Sequence, residues 1–227
     1  MAPRSKNRHV DHRPNPSIES PQSMIKIVIE STETSAASGL PIEPETEFNV
    51  HKAFICHYSP YIAKTLTKPE QIEIRIDDSS PKAFGIFVHW LYYQNLGSLE
   101  GDPDFYLLCE VWMLAKRFWV PKLQNMVMDS LHKVAEDNDS EGVIRVNDES
   151  GFVAHSWSDE LKNFLLDMMV TTKIPSVLEQ LCKYVSKDMV KDAFLARVFR
   201  ELEGNATGLG PASDYYVPDL ATETDTE

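Results

Sequence analysis

Cysteine is scarce in this 227-residue chain. Cys56, Cys109 and Cys182 are odd in number and widely spaced, a poor disulfide framework, and they read as reduced thiols. No apolar run approaches the ~20 residues needed to cross a bilayer. Met1–Ser23, rich in Arg, His, Pro and Asn, lacks the apolar stretch of a secretory signal. These shortages predict a cytoplasmic or nuclear protein with no membrane partner, in which the sequons at Asn138 and Asn205 stay idle. Basic residues are also in deficit, 22 Lys and Arg against 35 Asp and Glu, for a net charge of −13. A field of that sign repels phosphate backbones, so nucleic acid is not an expected partner. The short basic arm Arg4-Ser5-Lys6-Asn7-Arg8 reads as a solvated tail. Glycine occurs only nine times, and no Gly-rich phosphate loop is present. There is no internal repeat of useful strength.

Apolar residues make up 42% of the chain and charged residues 25%, a composition suited to a globular fold. Five regions follow from patterning. Residues 1–22 are polar and Pro-rich and read as a disordered arm. Residues 23–136 carry dense apolar periodicity and form the expected folded domain. Residues 137–157 read as a linker or long loop. Residues 158–202 regain helical periodicity as a C-terminal extension. Residues 203–227, ending in an acidic run, read as a disordered tail.

Within the domain, Ile25, Ile27 and Ile29 recur at every second residue, as do Ile72, Ile74 and Ile76; both runs predict strands. Glu47–Val50 reads as a short strand pairing back on the first, after a loop over 31–45. Helix starts are marked by Ser59-Pro60, Ser80-Pro81 and Asp102-Pro103. Proline suits the first helical position, where its missing N–H is no loss, and Ser or Asp can cap the amides behind it. Pro121 and Pro175 open helices as well. Apolar stripes follow: Phe84, Phe87, Val88 and Leu91; Leu108, Val111, Trp112 and Ala115; Leu123, Met126, Val127 and Leu131. In the extension the stripes are Leu161, Phe164, Leu165 and Met168; Val177, Leu178, Leu181 and Val185; and Met189, Val190, Ala193, Phe194 and Arg197, the last over a helix near 187–200. The expected class is α+β, a small β-sheet flanked by a cluster of helices, with a C-terminal helical extension.

The order of motifs is similar to that of the BTB/POZ family. Phe48-Asn49-Val50-His51-Lys52 resembles the family's strand running into "V-H-K", and His57-Tyr58-Ser59-Pro60-Tyr61 its "S-P-Y-F" step. Ile74–Asp78 resembles its third strand and acidic turn. Phe84–Tyr92, with Trp90, Leu91 and Tyr92, resembles "F-x-x-F-x-x-W-L-Y". Val111–Phe118, with Leu114, Ala115 and Phe118, followed by Pro121–Asn125, resembles "L-A-D-R-F…P-x-L-Q-N". The Trp-Leu-Tyr and Leu-Gln-Asn forms look most like BTB proteins of filamentous fungi. The resemblance covers residues 24–135. There are departures: Gln22, Ser23 and Met24 stand where an acid often precedes the first strand, Lys116 stands where an acid is common, and the 31–45 loop is long. The resemblance implies a protein–protein interaction module that self-associates as a homodimer, without catalysis. Its alternative is a substrate adaptor for a cullin-type ubiquitin ligase, which the helices after 158 would suit. Dimerisation in the family manner would use Ile25, Ile27, Ile29, His51, Phe54 and Ile55.

The candidate chemical groups have structural readings. His51, at a strand-to-helix corner, can hold that corner by hydrogen bonding. Ser59 is a helix cap. His51, Cys56 and His57 lie close together, but zinc commonly takes two ligand pairs and no second pair exists, so no metal or other cofactor is expected. Ser59 as a nucleophile lacks a nearby base and orienting partner. A catalytic Cys56–His57 couple would need partners that meet only in space, and a free Cys is more often a small buried hydrophobe. Asp77-Asp78 and Asp159-Glu160 read as capping and dipole partners of helix starts. Trp90 and Trp112 fall at core spacing.

Overall fold

The computed structural model describes residues 16–17, 22–30, 45–66, 72–77, 79–100, 104–141, 159–172, 175–203 and 209–219. The basic arm, most of the 31–45 loop, residues 142–158 and the acidic run after 219 lie outside the described residues, so the readings made for them are not addressed.

Three strands form one sheet in the order β2-β1-β3, with β1 at Met24–Ile29, β2 at Thr46–His51 and β3 at Glu73–Ile76. β1 runs antiparallel to β2, pairing Ile25 with Val50 and Ile27 with Phe48. It runs parallel to β3, pairing Ile27 with Ile74 and Ile29 with Ile76. The two isoleucine repeats therefore share one sheet, and the period of two places them on its inner face. Ile72 departs from the pattern: it precedes β3 and is 70% exposed, although its carbonyl accepts from the Lys26 N–H at 2.8 Å. The outer face carries Lys26 bonded to Glu47 and Glu73, both at 3.0 Å, and Arg75 beside Glu45 at 2.9 Å and Glu73 at 3.2 Å. These pairs are solvent-exposed, and they blunt a surface that would otherwise invite pairing with another chain.

Helices α1 (Lys52–Tyr58), α2 (Pro60–Thr65), α3 (Pro81–Tyr93), α4 (Phe105–Arg117) and α5 (Pro121–Glu141) follow in the domain. Ser59 and Ser80 cap α2 and α3, their Oγ atoms each accepting a backbone N–H at 3.1 Å, from Ile62 and Ala83. The expected cap at Asp102 moves by two residues. Asp104 caps α4, taking the amides of Tyr106 at 3.0 Å and Leu107 at 3.1 Å. An aspartate two places nearer the first apolar turn meets the same need, so the local signal was right in kind and wrong in register. Helix α5 continues through residues read as the start of a linker, ending at Glu141.

The core is dense in aromatics. Trp90, Trp112, Phe84, Phe87 and Phe118 are fully buried. Phe84 meets Phe48 of β2 edge-on at 4.9 Å and Phe87 meets Phe118 at 5.1 Å. The sheet's inner isoleucines belong to this same cluster.

The extension comprises α6 (Asp159–Thr171), α7 (Pro175–Tyr184) and α8 (Lys187–Glu203), close to expectation. Leu161, Phe164, Leu165, Val177 and Leu181 are buried and join the domain's cluster, so the two regions share one core. Within the α8 stripe, Met189 and Ala193 are buried as expected, but Phe194 is 65% exposed.

The tail reading fails for residues 209–219. After a 3₁₀ turn at Ala212–Tyr215, this segment lies against α5 and α6, and Tyr215 is buried. The Tyr215 hydroxyl donates to Asp167 Oδ2 at 2.8 Å, and its ring packs edge-on to Phe164 at 5.3 Å. Tyr216 bonds Asp129, and Nε2 of His132 lies 2.7 Å from the Gly210 carbonyl. The polar composition concealed an aromatic anchor.

Candidate interaction surface

The corner between β2 and α1 is held from α3. His51 is the last residue of β2 and the N-cap of α1, without a side-chain cap bond of its own. Its backbone N–H donates to Tyr92 Oη at 3.1 Å, and its Nδ1 lies 2.8 Å from the same oxygen. A tyrosine hydroxyl can accept from the amide and donate to a neutral imidazole nitrogen at once. Phe54 stacks on Tyr92 with ring centroids 4.8 Å apart. His51 is thus tied at the corner to a side-chain hydroxyl rather than to loop backbone. Lys52 follows it, and its N–H donates to the Ser23 carbonyl at 2.9 Å.

Ser59 has two tasks. Besides capping α2, its Oγ donates to the Phe118 carbonyl at 2.8 Å, joining α2 to the turn between α4 and α5; the residue is wholly buried. Pro60 occupies the first position of α2. Trp90, Leu91, Leu114, Ala115 and Phe118 are core residues, whereas Tyr61 is exposed, its ring stacked on Phe118 at 6.2 Å and edge-on to Trp119 at 5.7 Å. Trp119 was not singled out in the sequence. It has φ +56°, a left-handed conformation unusual for a bulky residue, and it is exposed with Lys64 Nζ 4.9 Å from its ring centre.

The side chains expected at a dimer interface are placed otherwise. Ile25, Ile27, Ile29 and Ile55 are at most 1% exposed, and Phe54 is also buried. They fill the chain's own core, because β1 is the central strand and its inner face is covered by helices. Only His51 of that set is partly exposed, and it is engaged with Tyr92.

The groups considered for chemistry do not converge. Burial pushes the Cys56 thiol up, with Lys52 opposing weakly, and burial also raises Cys109 and Cys182. A reactive thiol needs the opposite shift. The His57 ring packs edge-on to Tyr58 at 4.6 Å. Among the described residues no group of three His, Cys, Asp or Glu could hold a metal ion. Asp77 bonds Arg117 of α4 rather than a helix start, and that guanidinium holds its carboxyl below the usual range. A cavity of about 590 Å³ lies between α6, α8 and the 209–219 segment, with Glu160, Asp167, Asp192, Asp214 and Tyr215 among its lining residues. It contains none of the three cysteines and no histidine.

What stands out instead is apolar surface. Phe194, Leu195, Phe199 and Leu202 of α8 are 65%, 43%, 60% and 77% exposed. Sequence reasoning grouped Phe194 with Met189 and Ala193 in one stripe and did not mark Leu195, Phe199 or Leu202. The signal was present in Phe194-Leu195 and Val198-Phe199, a second apolar stripe displaced from Met189 and Ala193.

A mixed three-stranded sheet packed on a helical cluster defines an α+β domain. Residues 40–134, less than half of the chain, match the family model of the BTB/POZ domain, a protein–protein interaction module. The matched range begins after β1, although β1 is the strand that joins the other two. No curated protein matches the chain. Among the described residues no helix is long and apolar enough to cross a membrane.

Proposed function

We propose that this protein is a self-associating scaffold that engages protein partners through its outer surface and performs no catalysis. The observation that carries this reading is the apolar side of α8, where four large side chains face solvent on a chain whose interior is already closed. Scattered single apolar residues are normal on a surface; a contiguous set is the mark of an interaction site. The BTB/POZ module supports the same direction. Light scattering of the full chain over a range of concentrations tests it: a mass rising from 25.8 kDa toward twice that value supports self-association, and a constant 25.8 kDa rejects it. Ile27→Asp is not a usable probe, because it would bury a charge in the core rather than disturb an interface.

A second reading, an adaptor for a cullin-type ubiquitin ligase, draws on the three helices α6–α8 that follow the domain and share its core. A pull-down with purified cullin tests it; no retention at micromolar concentration would remove it.

A further inference from the structure

Helix α8 has two apolar sides. Met189 and Ala193 lie on the side packed toward α6 and are buried. Phe194, Leu195, Phe199 and Leu202 lie on the other, with Val198 between them half-buried. At 100° per residue, positions 194, 195, 198, 199 and 202 fall within one stripe less than half a turn wide. Resting on the self-association reading above, we propose that this stripe is the surface on which a second copy of the chain docks, α8 against α8 in antiparallel fashion across a two-fold axis near Val198.

Three observations select a second copy as the occupant. The first is size. From their exposures, the four large side chains present roughly 500 Å² in all, so pairing two copies would remove about 1,000 Å² from these residues alone. Flanking residues bring that into the ~1,200–2,000 Å² range of specific interfaces. The second is charge. The whole chain carries −13, yet α8, with the sequence KDMVKDAFLARVFRELE, holds four Lys or Arg against four Asp or Glu. Two copies of a chain of that net sign repel overall, whereas at α8 they meet on a balanced helix. The third is register. An isologous contact must complement itself, with residue i against residue j and j against i. An axis near Val198 sets Phe194 against the other copy's Leu202 and Val198 against its own equivalent, apolar against apolar at these points, and brings Phe199 opposite the stem of Arg197 and Leu195 opposite position 201. Antiparallel alignment also opposes the two helix dipoles.

The test is sedimentation velocity and light scattering on the full chain, wild type beside Phe199→Glu and Leu202→Glu, with thermal melts of all three. Each variant places a charge on an exposed position and should leave the monomer folded. The expected result is a wild-type dimer, an at least tenfold weaker dimer in either variant, and melts at monomeric concentration unchanged. A wild type that dimerises with both variants dimerising equally well would overturn the α8 surface while leaving self-association standing. A wild type that stays monomeric at every concentration would overturn both. Lowered melts in both variants at monomeric concentration would show that the chain itself covers this face, and would overturn the inference as well.

Discussion

Asn125 of α5 and Val217, 92 positions apart, bond each other at both ends: the Val217 N–H donates to Asn125 Oδ1 at 2.8 Å, and Asn125 Nδ2 donates to the Val217 carbonyl at 3.0 Å. A side-chain amide has the donor and acceptor needed to imitate a strand neighbour. With Tyr215 wedged beside Phe164, the pair fastens the chain's last described segment across α5 and α6, the seam between the BTB/POZ range and the extension.

This strap should contribute measurably to stability. Tyr215→Ala removes a buried ring and its bond to Asp167, and should cost about 3 kcal/mol in urea unfolding. Asn125→Ala should cost about 1–2 kcal/mol, since two backbone groups lose their partner. A chain ending at residue 208 should lose at least as much as Tyr215→Ala. An unchanged unfolding midpoint in that truncated chain would show that the segment is dispensable.

Ser59 and Ser80 cap consecutive helices but differ in what else they hold. Ser59→Ala forfeits the α2 cap and leaves the Phe118 carbonyl without its hydroxyl donor in a fully buried place, so a loss of about 2 kcal/mol is expected. Ser80→Ala loses the α3 cap and the hydroxyl that donates to Glu110 at 2.7 Å, in a partly exposed place, and should cost about 1 kcal/mol. Equal losses in the two variants would contradict the added task assigned to Ser59.

Those caps were legible in the sequence because a helix start is a local problem. Serine followed by proline answers it within two residues, and Ile25–Ile27–Ile29 answers the strand problem with equal economy. The strand at Ile74 and the core placement of Trp90 followed from such patterns and the order of motifs. What escaped had a non-local cause. Asn125 and Val217 meet across 92 residues, and neither position carries a sign of the other. Nothing local announced that the polar 209–219 segment would anchor on Phe164. Ile25, Ile27 and Ile29, expected at an interface, lie in the chain's own core, because alternation shows that one face of a strand is apolar, not whether a helix of the same chain or a second molecule covers it. Phe194 was assigned to the wrong stripe for the converse reason: a helix with two apolar stripes does not reveal which one its own fold will cover.

Tyr92 should behave as the keystone of the β2–α1 corner. Tyr92→Phe keeps the stack on Phe54 but removes the hydroxyl shared by the His51 N–H and Nδ1. A loss of about 1–2 kcal/mol is expected. In a double-mutant cycle with His51→Ala the two losses should not add, because the variants share one hydrogen-bonded group. Strict additivity would mean that the Nδ1–Oη bond contributes nothing to stability.

Glu110 makes a prediction about pH. Its carboxyl on α4 accepts from Ser80 Oγ, yet burial raises its pKa above the ordinary glutamate value, the Ser80 bond opposing that shift and nearby Asp104 adding to it. An acid whose folded-state pKa lies above its unfolded one binds more protons when folded, over the interval between the two values. Stability must then fall as pH rises through that interval and stay lower above it. Glu110→Gln cannot ionise, and its amide oxygen can still accept from Ser80. The variant should therefore melt at a higher temperature than wild type at pH 7, with the gap closing as pH falls toward about 4, where an unfolded glutamate is itself largely protonated. Melting curves of both proteins between pH 4 and 8 would decide it. A gap that widened toward acid would mean that the folded protein favours the charged carboxylate, and that the Ser80 bond outweighs burial.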